Sequence, residues 1–163
     1  LNNTMSEEEA HRIRIELRKA ENLEKYKKLL RYIDQKIFEL DNYRCAYCHS
    51  PIELTVAIFE VEHIHPQSKG GSSEISNLCL SCPTCNRYKG SHIEAADPQT
   101  GQSAPLFHPR QQDWSQHFSW NQTHTEIIGL TTTGRATVNL LKINRPRLTK
   151  LRQLWLKLGY KLD

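Results

Sequence analysis

Apolar residues recur at three- and four-residue steps early in the chain, at Tyr26, Leu29, Leu30, Ile33, Ile37 and Leu40. That spacing predicts an amphipathic helix over residues 6–40, with charges of both signs on its remaining faces. Ser6 followed by Glu9 offers a capping box, and Glu21 and Glu24 are placed to pair with Lys25 and Lys28. A break near Ala20 to Asn22 would divide the segment into two helices. Packing or dimerisation is the role expected of it, ahead of DNA contact.

Past Asp41 the period changes. Residues 53–64 are rich in β-branched and apolar side chains and predict a strand or hairpin, followed by an open loop from Gln67 to Ser73. Leu78 and Leu80 mark a short second strand, and a helix is expected from about Thr84 to Ala96. Asp97 to Gly101 is turn chemistry. Beyond it, Pro109 can open a short helix carrying Trp114 and Phe118, residues 125–130 read as a strand, and residues 133–143 as a helix. Asn144 would cap a last helix, with Pro146 in its first turn and Gly159 at its end. Leu148, Leu151, Leu154, Trp155 and Leu158 form its apolar stripe, with Arg147, Lys150, Arg152 and Lys157 facing out. The expected fold is α+β: an N-terminal helical extension (1–41), a small strand-loop-strand-helix core (42–97) and a C-terminal extension with a short strand and basic helices (98–163).

The apolar fraction, 37%, is low for a compact globule, and a bound metal would brace such a core. No apolar run approaches the ~18 residues that span a bilayer, and no basic-then-apolar start marks a secretory signal; a cytoplasmic protein is expected. Leu1 in place of Met suggests trimming or a fragment. The net charge of +4 is unevenly spread. Residues 42–126 carry five basic and eight acidic side chains, whereas residues 127–163 carry eight basic ones and a single acid, Asp163. An acidic module beside a basic arm suits a phosphate-backbone binder that also needs carboxylates, although a solvated helix face has the same composition.

Five cysteines do not make an even disulfide framework. Four of them form two pairs, Cys45-Ala-Tyr-Cys48 and Cys82-Pro-Thr-Cys85, separated by 33 residues. A two-residue spacer lets one turn supply two thiolates, and two such turns complete the tetrahedral set of a structural Zn²⁺. Cys79 lies outside the pattern, as a buried thiol or a substitute for Cys82.

Between the pairs stand Glu62, His63 and Asn77, and Asn86 follows the last cysteine. Hydrolysis of a phosphodiester needs an activated water, a cation at the phosphate and a stabilised leaving oxygen. Histidine suits the first task, and a carboxylate with an amide oxygen can hold Mg²⁺. Glu62 and His63 are adjacent, so on a strand their side chains diverge, one toward a metal and one toward water. The run Glu62-His63-Ile64-His65-Pro66, then Gly70-Gly71, Asn77-Leu78 and Cys82-Pro-Thr-Cys85-Asn86-Arg-Tyr-Lys89-Gly90 resembles the HNH endonuclease family, with its ββα-metal fold. The resemblance covers residues 45–90. It implies His63 as general base, Glu62 and Asn86 as ligands of a catalytic Mg²⁺ or Mn²⁺, and Asn77 as the residue orienting His63. Glu62 stands where the family often has Asp, and Asn86 gives a His-Asn-Asn version. The segment from Pro105 to Arg110, with Trp114, His117-Phe118, Gly134 and Asn144-Arg145-Pro146, resembles an extension of bacterial HNH proteins.

The expected activity is a metal-dependent DNA endonuclease that nicks as a monomer or cuts both strands as a homodimer. A bacterial or phage-like origin and a place in a defence or CRISPR-type assembly are compatible with it. His65, Lys89, Arg147, Lys150 and Arg152 are the candidate DNA contacts. Two other readings stay open: a zinc-dependent nucleic-acid-binding module without catalysis, and the same fold acting on RNA. Glu62, His63 and Asn86 separate the first from an enzyme, because binding alone does not require them.

Overall fold

A computed structural model describes residues 7–162; the expected Ser6 capping box lies outside the described residues. The described residues fall into two compact units, divided between Lys36 and Ile37.

The first unit is a helix. α1 runs Glu7–Leu40 without interruption, since nothing between Ala20 and Asn22 breaks it and the stretch contains neither Gly nor Pro. Glu16 pairs with Lys19 and Glu24 with Lys27, each one turn apart. Leu23, Tyr26, Leu29 and Leu30 are all exposed on this helix.

The second unit begins with the last residues of α1, where Ile37 is fully buried. Asn42 and Tyr43 adopt left-handed backbone and stop the helix, with the Tyr43 N–H returning to the Phe38 carbonyl. Where a strand over 53–64 was expected, only β1, Glu60–His63, forms; Ile52–Leu54 is a single 3-10 turn, and Val56 and Ile58 are exposed. The reason is the partner's length. β2, Leu78–Ser81, pairs antiparallel with β1 in the register Glu60 to Ser81 and His63 to Leu78, and has no further residues to offer.

α2 is Pro83–Lys89, shorter than expected. Gly90 ends it with φ +48 and ψ −128, a conformation that favours glycine. The residues expected to continue the helix instead form β3, Glu94–Ala96, which hairpins with β4, Ser103–Pro105, around the Asp97 turn. Gln99 N–H and Thr100 Oγ1 both donate to the Asp97 carboxylate, whose other partner is Arg135 at 2.6–2.8 Å.

α3, Trp114–His117, leads into the hairpin of β5, Phe118–Trp120, and β6, Ile127–Gly129. α4, Thr132–Leu140, and α5, Pro146–Lys157, complete the five helices among the described residues. Asn144 does not cap α5. Its side chain bonds both backbone groups of Ile127, and Arg145 takes the capping position. The inward face of α5 is Leu148, Arg152 and Trp155, while Leu151, Leu154 and Leu158 are exposed. None of the described helices is long and apolar enough to cross a membrane.

Candidate active site

Both cysteine pairs sit on turns that the small sheet and α2 hold in place. In the first knuckle the Ala46 N–H donates to the Leu80 carbonyl, tying the turn to β2. In the second, Cys82 caps α2, its sulfur accepting the Cys85 N–H at 3.4 Å. The sulfurs of Cys45, Cys48, Cys82 and Cys85 all lie within 4.8 Å of one another, every one of them buried. Cys48 and Cys82 are 3.8 Å apart, sulfur to sulfur. A tetrahedral ion with ~2.3 Å bonds to sulfur would separate its ligands by about that distance. The donor set is that of structural zinc. All five cysteines are free, and Cys79 stands outside the cluster.

Burial pushes the Cys45 thiol well up, while sulfur hydrogen bonds from Cys45 and Cys82 hold Cys48 well down. Four buried sulfurs that cannot all ionise beside one another are a demand for a cation. The surroundings anticipate negative charge. Ser50 Oγ lies 3.2 Å from Cys48 Sγ, Arg145 Nη2 4.0 Å from Cys82 Sγ, and Arg152 donates to the Cys48 carbonyl.

The second constellation forms around β1 and the open side of α2. Val61, Glu62, His63, Pro66, Asn86 and Gly90 are among the residues lining one cavity of about 360 Å³. His63 is half-buried, its Nε2 2.9 Å from Ser73 Oγ, which also accepts from Gln67 Nε2 at 2.9 Å. Asn77 does not reach the His63 ring. Its Oδ1 accepts the His65 N–H at 2.8 Å, and its Nδ2 donates to the carbonyls of His65 and Ser72. Asn77 therefore fixes the loop that leaves β1, and the imidazole only through it. Gly71 belongs to the same clamp: a Cβ there would stand 1.8 Å from the His65 carbonyl oxygen.

Glu62 is 5% exposed. The Tyr47 hydroxyl at 2.5 Å, the Lys89 ammonium at 3.6 Å and the Cys79 thiol at 3.7 Å all approach one oxygen, Oε1. Burial raises the Glu62 carboxyl, and Lys89 and Tyr47 oppose that shift. Burial also pushes Tyr47 well above the usual phenol range, so it remains a donor to the carboxylate. Asn86, on the first turn of α2, lines the same cavity. Glu62 and Asn86 both line the cavity, and a carboxylate with an amide oxygen is a hard donor pair of the kind that suits a Mg²⁺-like ion.

Two of the expected DNA contacts are corrected by the structure. Lys89 is 1% exposed and donates to the His63 carbonyl at 3.0 Å while facing Glu62, so it is an internal counter-ion. Arg152 is equally buried, bonding the carbonyls of Thr125 and Cys48 and the side chain of Asn144. His65 is half-buried, with its Nε2 3.0 Å from the Lys69 carbonyl oxygen at an exposed position. Arg147 and Lys150 are exposed, as expected of an arm.

Sequence reasoning did not single out Tyr47, Glu60, Ser73 or Asp41. Asp41 accepts the Leu80 N–H and is gripped by both ends of the Arg110 guanidinium at 2.6 and 2.7 Å, which anchors β2 from outside the sheet. Only the placement of Tyr47 inside the first cysteine pair hinted at a buried role.

Residues 45–92 match the family model described as HNH endonuclease, which is less than a third of the chain. The chain is 27% identical over 116 residues to Septu protein PtuB of Bacillus thuringiensis. That alignment takes in 70% of this chain and 42% of the relative, so the chain spans less than half of the relative's length. No solved structure matches the chain significantly. With a four-thiol site, a two-stranded antiparallel sheet and the following helix all inside the matched segment, residues 45–92 are an HNH endonuclease domain.

Proposed function

We propose that this chain is a metal-dependent endonuclease hydrolysing DNA phosphodiester bonds, with His63 as the general base for the attacking water. The observation that carries the reading is the convergence of Glu62, His63 and Asn86 on one open cavity, apart from the closed thiol cluster. A Mg²⁺ or Mn²⁺ bound there would supply positive charge to the phosphate and to the leaving 3′ oxygen. Glu62 and Asn86 hold that ion. Lys89 fixes the His63 carbonyl and Asn77 the backbone two residues on, so the imidazole is carried on a backbone clamped from both sides. Zinc in the cysteine cluster is scaffold. Arg147 and Lys150 meet the DNA backbone from α5. One base in one cavity makes the monomer a nickase, and a homodimer would be needed to cut both strands together. A cytoplasmic location suits such a substrate.

The test is plasmid nicking with Mg²⁺ or Mn²⁺, comparing wild type with His63→Ala and measuring zinc in both. Loss of a general base is expected to slow nicking by about 10²–10⁴-fold while the zinc content stays the same. A wild type that binds DNA and zinc but cleaves neither DNA nor RNA would sink the catalytic reading in favour of a binding module.

A further inference from the structure

Glu60 lies outside the acidic-His motif, two residues before Glu62, with its side chain exposed. Yet it holds the Asn86 side chain: the Asn86 Nδ2 donates to Glu60 Oε2 at 2.5 Å. An amide has a donor end and an acceptor end, and a cation accepts only the second. An unrestrained asparagine can present either. A carboxylate accepts hydrogen bonds and cannot donate them, so it selects the amide nitrogen and turns the oxygen away from itself.

We infer that Glu60 is a positioning residue that fixes the Asn86 amide so that its oxygen, and not its nitrogen, faces the cation cavity. The inference rests on the reading of Asn86 as a cation ligand. It also explains why an amide suits position 86. Aspartate there would set two carboxylates within hydrogen-bond distance, and like charges so close push one of them toward its protonated form. The arrangement provides a neutral ligand whose orientation is imposed by a neighbour on the adjoining strand.

The experiment is a Mn²⁺ titration of zinc-loaded protein, followed by the electron paramagnetic resonance signal of free Mn²⁺. It compares wild type, Glu60→Ala, Glu60→Gln, Glu62→Gln, Asn86→Asp and the double variant Glu60→Ala/Asn86→Asp. Removing a residue that orients a metal ligand costs about 10–100-fold in affinity, and that loss is expected for Glu60→Ala. Glu60→Gln keeps an acceptor oxygen and should recover most of the binding. Aspartate offers an oxygen at either end, so in the Asn86→Asp background Glu60→Ala should cost nothing or tighten binding. A loss of the same size in both backgrounds would mean that Glu60 is itself a ligand, and no loss in either would mean that Asn86 is oriented without it. Each overturns the inference. Glu62→Gln separates the two levels: if it loses Mn²⁺ while Glu60→Ala does not, only the role of Glu60 falls. If Glu62→Gln binds like wild type, the cation site has been misread and both readings fall.

Discussion

The cysteine cluster and the Glu62-His63-Asn86 cavity share one seven-residue helix and differ in nearly everything else. Cys85 and Asn86 are successive residues of α2, about 100° apart around its axis, so a single turn feeds one site on each side. On one side four soft donors close on themselves, fully buried, with basic groups of the C-terminal region arranged around them. On the other, oxygen and imidazole donors face a cavity open to solvent. A closed thiol set can stabilise a fold and do little else, whereas an open oxygen set leaves positions for water and phosphate. The HNH motif interleaves the two along the chain, and folding sorts them by helix face. Both sites also recruit an internal cation, Arg152 near the sulfurs and Lys89 at Glu62.

The division is broken most severely through the sulfurs. Cys82→Ser removes a zinc ligand while leaving an oxygen that can still cap α2, and is expected to abolish zinc retention and cooperative folding of residues 37–162. Structural zinc supplies about 10–16 kcal/mol in small zinc domains, far more than a core of this composition can replace. Cys79→Ser should keep its metal, because Cys79 faces Tyr47 and Glu62. Metal analysis and a thermal melt of both variants decide it. If Cys79→Ser lost zinc and Cys82→Ser kept it, the ligand set would be wrong.

A milder cut separates the cations that serve the scaffold from those proposed to meet DNA. Arg152→Met strands the carbonyls of Thr125 and Cys48 and the Asn144 side chain, and is expected to cost about 3 kcal/mol in a denaturant melt. Arg147→Ala and Lys150→Ala should leave the melt unchanged. Each should instead flatten the dependence of log K on log salt by about one unit, as loss of a phosphate contact does. A double variant at 147 and 150 with the wild-type salt slope would remove the arm from the proposal.

That contrast marks where sequence stops being legible. The cysteines could be read because a two-residue spacer is a geometric requirement of one ion. That Glu62, His63 and Asn86 come to one cavity could be expected, because their order follows a known motif. Lys89 and Arg152 could not, since a basic residue at a helical position carries no mark of which way it faces. Their burial depends on partners 27 and 104 positions away, Glu62 and Cys48. Asn77 was legible as part of the site but not in its target, because hydrogen bonds to loop backbone leave no signature in residue type. The helix expected to reach Ala96 failed at Gly90, whose backbone ends it. The strand expected from residue 53 failed because strand length is set by the partner, and β2 has four residues.

The smallest effect tests an ion pair that belongs to neither site. The Arg135 guanidinium beside Asp97 holds the carboxyl well below the usual carboxylate range, and Gln99 and Thr100 add to the shift. Because the folded value lies below the unfolded one, near 3.9, the pair stabilises above about pH 4, and the contribution fades as pH falls further. Asp97→Asn is therefore expected to be less stable than wild type at neutral pH, with the gap closing below pH 4. Acid also strips zinc from thiolates, but it does so in both proteins, so the difference between their melts isolates the carboxylate. Zinc content and nicking at neutral pH should not move, since Asp97 and Arg135 touch neither the sulfurs nor the Glu62 cavity. A gap independent of pH would mean that Asp97 acts through its shape in the β3–β4 turn and not through its charge. Altered nicking would mean that this turn is coupled to the cavity.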